Sequence, residues 1–149
     1  MAKKRFTEKD GKPPETARPP GAGESREHKN LKQWAADNPA ALGLSRAMKP
    51  QPEWPLLSGD RIDVMFSDGK SFVAVEVKSI CSSPDDLRRG IYQCVKYRAV
   101  IEAQECPVTT PVRAILVSEE SLPEDLQARA SLLGVTLKVQ AVNEVPASV

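Results

Sequence analysis

A chain of 149 residues has the length for one domain that buries its core without disulfides. Its 21 basic and 20 acidic side chains nearly cancel, which excludes an overall positive field of the kind that steers many nucleic-acid binders, so any such surface is local. His28 is the only histidine, which removes His-rich metal sites and most Ser-His or Cys-His nucleophile schemes and leaves carboxylates and lysine to carry any catalysis.

Residues 1–24 are rich in Lys, Arg and Pro, with almost no apolar content. They read as a disordered basic tail, residues 25–149 as the folded domain. Cys81, Cys94 and Cys106 lack metal-ligand spacing, and neither an apolar leader nor a membrane-length apolar run is present. The expectation is a soluble, reduced, cytoplasmic protein without membrane association.

Ser25 caps a first helix from about Arg26 to Asp37, with Leu31, Trp34 and Ala35 on one face and Pro39 ending it. His28, at its start, reads as a surface residue. A loop of Pro, Gly and small residues runs through Pro55. Ile62, Val64 and Phe66 then alternate with Arg61, Asp63 and Met65, and Val73, Val75 and Val77 alternate with Ala74, Glu76 and Lys78. Asp68-Gly69 between the two runs signals a hairpin.

Ser83 and Pro84 open a long helix reaching about Gln104, with the apolar stripe Leu87, Ile91, Cys94, Val95 and Ile101. Val112 to Val117 reads as a buried strand. Pro123 starts a third helix ending at Gly134, and Val135 to Val139 is a final strand. The order α, β-hairpin, α, β, α, β predicts a mixed α/β sandwich.

A two-residue loop at Asp68-Gly69 pairs Val64 with Val73 and Asp63 with Ala74. Asp63, Ala74, Glu76 and Lys78 then share one face, and Ile62, Val64, Phe66, Val73, Val75 and Val77 the other. Asp63 and Glu76 become diagonal neighbours, roughly 7–8 Å apart between backbones, so both carboxylates can turn onto one ion. Mg²⁺ accepts one or two carboxylates and fills its remaining positions with water and phosphate oxygens; Mn²⁺ can substitute. Lys78, on the same side, brings positive charge to where a water attacks phosphorus and negative charge grows.

The run Gly59-Asp60-Arg61-Ile62-Asp63 followed by Glu76-Val77-Lys78 resembles the core of the PD-(D/E)XK nuclease superfamily. Gln93 and Tyr97 form Gln-x-x-x-Tyr on the next helix, similar to the motif of its RecB-like branch. The resemblance implies a restriction-endonuclease-like fold: an αβββαβ core with a mixed central sheet flanked by helices. It implies a Mg²⁺-dependent deoxyribonuclease in which Asp63 and Glu76, with the Val77 carbonyl, hold the metal, Lys78 assists the attacking water, and Gln93 and Tyr97 orient the substrate or the metal-site network. It also implies an acidic residue on the first helix near the metal, for which Glu27 is the first candidate and Glu24 its rival. No proline precedes Asp63, and Asp60 competes with it as the first acid.

The partner expected is DNA, with RNA not excluded, and cutting both strands would call for a homodimer with two sites. Arg89 and Lys96 share the Gln93 side of the helix, roughly opposite its apolar stripe, and are the candidate phosphate contacts. A bland alternative is a solvated hairpin face with Arg61 opposite Glu76 in a surface ion pair worth ~0–1 kcal/mol. The alternative of a different class is a catalytically silent nuclease-like fold that binds nucleic acid or protein.

Overall fold

The computed structural model describes residues 24–105 and 112–142. Residues 1–23 of the expected tail, Cys106, the loop around Pro107 and residues 143–149 lie outside that range. The elements run α1 (Arg26–Asp37), β1 (Lys49–Pro55), β2 (Arg61–Ser67), β3 (Phe72–Lys78), α2 (Pro84–Gln104), β4 (Val112–Ser118), α3 (Glu124–Leu132) and β5 (Thr136–Val139).

The five strands form one sheet in sequence order, antiparallel from β1 to β3 and parallel from β3 to β5. Antiparallel neighbours need only short turns, whereas each parallel step needs a crossover, supplied by α2 and α3. Because the strand order advances one way and such crossovers are right-handed, α2 and α3 cover one face and α1 the other. The core divides accordingly. Leu31 and Ala35 of α1 pack on Val64, Phe66, Val73, Val75 and Val77, while Ile91 and Cys94 of α2 pack on Leu116 with Leu126 and Ala130 of α3. Fully burying one such aliphatic or aromatic side chain contributes about 1.5–3 kcal/mol.

The helix starts follow local chemistry. Ser25 Oγ accepts the His28 N–H at 3.0 Å, and Ser83 Oγ accepts the Asp86 N–H at 3.1 Å with Pro84 at the first position of α2. A cap of this kind is worth about 1 kcal/mol. Gly134, two residues after α3, takes φ +74°, as expected for the residue that closes a helix.

Four sequence expectations change. The loop through Pro55 contains β1, a strand with three prolines (Pro50, Pro52 and Pro55); it sits at the sheet edge, the place where a missing N–H costs no ladder bond. The hairpin loop has four residues, since Ser67 pairs with Phe72 and Val64 with Val75. Asp68 Oδ1 accepts from the N–H groups of Lys70 and Ser71, both at 2.8 Å, and this side-chain-stabilised turn sets the longer loop. A two-residue slip keeps every side chain on its predicted face.

Ile62 is the exception: it packs with Met65, Ala74, Tyr97 and Ile101 on the α2 side and not with Val64. The β1–β2 ladder runs from Lys49–Ser67 to Pro52–Val64 and resumes at Trp54–Ile62. At the break Glu53 adopts φ +56°, so the pair changes face there. Finally, Glu24 belongs to the folded part and not the tail, because it ion-pairs with Lys32 at 2.7 Å and with His28.

Candidate active site

The break in the ladder frees Asp63 from regular pairing. Carrying the β2–β3 register one step past Val64–Val75 sets Asp63 level with Glu76. Instead of a backbone partner, the Val77 N–H donates to Asp63 Oδ2 at 2.9 Å. The same oxygen lies 3.6 Å from His28 Nε2 on α1. Asp63 thus stands at the edge between the two sheet faces, not squarely on the α2 face.

Glu76 and Lys78 alternate with Val77 along β3, so both point toward α2 while Val77 joins the α1 core. Glu76 is only 6% exposed. Burial pushes its carboxyl well above the ordinary range, the Asp63 carboxylate pushes it further, and Lys78 and the Tyr97 hydroxyl offset only part of this. Lys78 Nζ lies 3.6 Å from Glu76 Oε2 and donates to Asp86 Oδ1 at 3.2 Å.

Tyr97 departs from its expected place facing away from the core. It is buried beside Ile62, Met65 and Ala74, because α2 is covered on two sides, by α3 and by the β1–β2 end of the sheet. Its hydroxyl donates to the Arg61 carbonyl at 3.3 Å, with the Glu76 carboxylate also in reach. Burial first, and then the Glu76 and Asp63 charges, push its ionisation upward, so it acts as a neutral donor. Gln93, one turn earlier, has a buried Oε1 without a hydrogen-bond partner. Arg61 faces Glu53 at 3.9 Å and not Glu76.

The competing candidates separate. Asp60 sits at the rim, held by Lys96 at 2.8 Å and by Ser58, so Asp63 is the acid that meets Glu76. Just before α1, Glu24 contacts His28 Nδ1, and Glu27 on the helix enters none of these contacts. Arg89 lies 3.6 Å from Asp86 and, like Lys96, is exposed at the α2 rim.

His28 is the residue that sequence reasoning assigned to the surface. Its side chain is 25% exposed and bridges Glu24 and Asp63. The signal was present: His28 lies three residues before Leu31, on the buried face of α1. Burial opposes the imidazolium, but hydrogen bonds and charge from Asp63 and Glu24 outweigh it and raise its pKa above the ordinary 6.5. For Glu24, burial is likewise outweighed by Lys32 and His28, which hold its carboxyl below the usual range.

The donor chemistry fits a divalent cation. Two carboxylates meet where one is buried and incompletely compensated, a donor set that suits Mg²⁺ or Mn²⁺, and the imidazole nitrogen beside them tilts it toward a transition metal. A buried glutamine oxygen on the neighbouring helix lacks a donor. Among the described residues, no three His, Cys, Asp or Glu side chains already form a metal-holding group.

No family model matches the sequence, and no curated protein sequence does. Among solved structures, a repair endonuclease from Pyrococcus abyssi is similar, with a TM-score of 0.59 and 20% identity over 81% of this chain and 50% of that one. EndoMS in its apo form gives 0.55 and 16% identity, over 82% of this chain and 49% of the other. The chain spans about half the length of these two proteins. The likeness establishes the fold, a restriction-endonuclease-like mixed sheet flanked by helices. Among the described residues, no helix is long and apolar enough to cross a membrane.

Proposed function

We propose that this chain hydrolyses phosphodiester bonds of DNA in a divalent-metal-dependent reaction of the PD-(D/E)XK type, in its RecB-like branch. The observation that carries this reading is the buried Glu76 carboxylate, set against Asp63 with the Lys78 ammonium 3.6 Å away. Bringing two acids together at a buried position is costly, and a carboxyl perturbed by burial and by a second acid is a candidate for chemistry. The fold shared with a repair endonuclease and with EndoMS supports it.

In this reading Asp63 and Glu76, with the Val77 carbonyl and His28 Nε2, hold Mg²⁺ or Mn²⁺, and Glu24 orients the imidazole through Nδ1. The cation supplies Lewis-acid polarisation of a phosphate oxygen when bound. Lys78 donates to the attacking water and to the phosphoryl oxygens on which negative charge grows. The Tyr97 hydroxyl holds Glu76 in orientation, and the unpartnered Gln93 oxygen accepts from water or substrate. Arg89 and Lys96 meet flanking phosphates.

The hydrogen bond from Val77 to Asp63 favours a second reading, a nuclease-like fold that binds nucleic acid without cutting. Labelled single- and double-stranded DNA, incubated with Mg²⁺ or Mn²⁺ and with a chelator, separates the two. Cleavage with either cation and none with chelator supports the nuclease. Retention of DNA with no cleavage under any divalent cation supports the second reading.

A further inference from the structure

We propose that Gly90 is a positioning residue for Lys78, an assignment that rests on Lys78 being the lysine of the reaction above. Gly90 is buried in the interior of the 21-residue α2, where glycine is the poorest helix former short of proline. Its backbone is not in the left-handed region that would require glycine. The space its missing side chain leaves is filled by the Lys78 stem.

A Cβ at Gly90 would stand 2.9 Å from Lys78 Cε and 3.4 Å from Lys78 Cγ, with Leu116 Cδ1 at 3.2 Å. Below 3.0 Å something must shift, and because Lys78 Cε lies near the far end of a flexible side chain, it is the lysine that gives way and its ammonium that moves. The lysine chain therefore crosses α2 through the gap that the missing side chain leaves, with fully buried Leu116 beside it. Its ammonium emerges one turn nearer the helix start, 3.2 Å from Asp86 Oδ1 and 3.6 Å from Glu76 Oε2.

Asp86 is anchored at its backbone. Its N–H is bonded to the Ser83 cap, and Arg89 approaches the same carboxylate oxygen at 3.6 Å. A lysine has a flexible four-carbon stem and a point charge that an open site would leave mobile. Here the gap at Gly90 confines the stem and Asp86 receives the head, so the charge is in place beside Glu76 before substrate arrives. A catalytic charge held this way needs little reorganisation during the reaction.

A double-mutant cycle of Gly90→Ala and Lys78→Ala in the full chain tests this, read by thermal melts and by steady-state cleavage of a labelled DNA oligonucleotide with Mn²⁺. In melts, Gly90→Ala is expected to raise the midpoint more in the Lys78→Ala background than in the wild type, because helix propensity then acts without the clash. In cleavage, Gly90→Ala alone is expected to lower kcat about 10- to 100-fold, the scale of a small misplacement, with KM within about twofold. In the Lys78→Ala background it is expected to cost nothing further.

Equal midpoint shifts in both backgrounds, or an equal factor in kcat in both, would overturn the assignment. Should Gly90→Ala alone fail to fold, recovery of folding in the double variant supports it and failure there contradicts it. Absence of cleavage by all four proteins contradicts the nuclease reading instead; the coupling in the melts then decides whether Gly90 sets the Lys78 conformation.

Discussion

His28 Nε2 stands 3.6 Å from Asp63 Oδ2, which ties the start of α1 to the break in the β1–β2 ladder and places the chain's single imidazole beside the Asp63–Glu76 pair. Because there is one histidine, its NMR signals report this site alone. The imidazole is expected to titrate above 6.5 without metal. A raised folded-state pKa means that its stabilising contribution is full below the unfolded value and is lost as pH rises through the folded one. A metal ligand must be neutral, so Mg²⁺ is expected to lower the apparent pKa. An unchanged titration at Mg²⁺ concentrations that support cleavage would remove His28 from the ligand set.

Glu76→Gln is expected to abolish cleavage and to raise thermal stability at neutral pH. The sign follows from its raised carboxyl pKa: the folded state favours the protonated form, so stability falls as pH rises from the ordinary 4.5 through the folded value. The amide removes that cost, and in a domain of this size each kcal/mol moves the midpoint by about 2–4 °C. The difference between variant and wild type should close as pH approaches 4.5. Melts in which the variant is less stable than the wild type at pH 7 would show that Glu76 is a well-paired structural acid.

Gln93→Met separates packing from chemistry. A buried acceptor without a partner costs about 1–3 kcal/mol, and Gln93 Oε1 is one, so an apolar side chain of similar shape is expected to leave stability unchanged or improved. Cleavage should fall about tenfold or more if that oxygen orders water or substrate. Wild-type kcat in the variant would reduce Gln93 to a packing residue.

Much of this arrangement is written in local patterns. Alternation from Val64 to Lys78, the Ser25 and Ser83 caps and Gly134 specify elements through nearest-neighbour chemistry, and the structure follows them closely. Glu76, Lys78 and the neighbouring helix were legible because period two and helical spacing determine which side chains share a face. What sequence did not reveal depends on tertiary context. Three prolines argue against a strand unless it lies at an edge, and edge position is a property of the sheet. Asp68 lengthens its turn through side-chain hydrogen bonds that a dipeptide signal does not encode. The burial of Tyr97 and the approach of His28 to Asp63 follow from how α2 and α1 cross the sheet.

Arg89 and Lys96 are the candidate phosphate contacts at the rim, and each already has an acidic neighbour, Asp86 and Asp60. Arg89→Ala and Lys96→Ala are each expected to weaken DNA binding uniformly across sequences and to reduce the slope of log affinity against log salt by about 1. Unaltered slopes in both variants would place the nucleic-acid surface elsewhere.

The most direct measurement of the central claim is the rate of Mg²⁺-dependent DNA hydrolysis by the wild type, Glu76→Ala and Lys78→Ala, with circular dichroism melts establishing that all three are folded. Wild-type cleavage that falls by about 10²–10³-fold or more in each folded variant is the predicted result. Cleavage by the folded variants at the wild-type rate, or a wild type that cuts neither DNA nor RNA with any divalent cation, would contradict it.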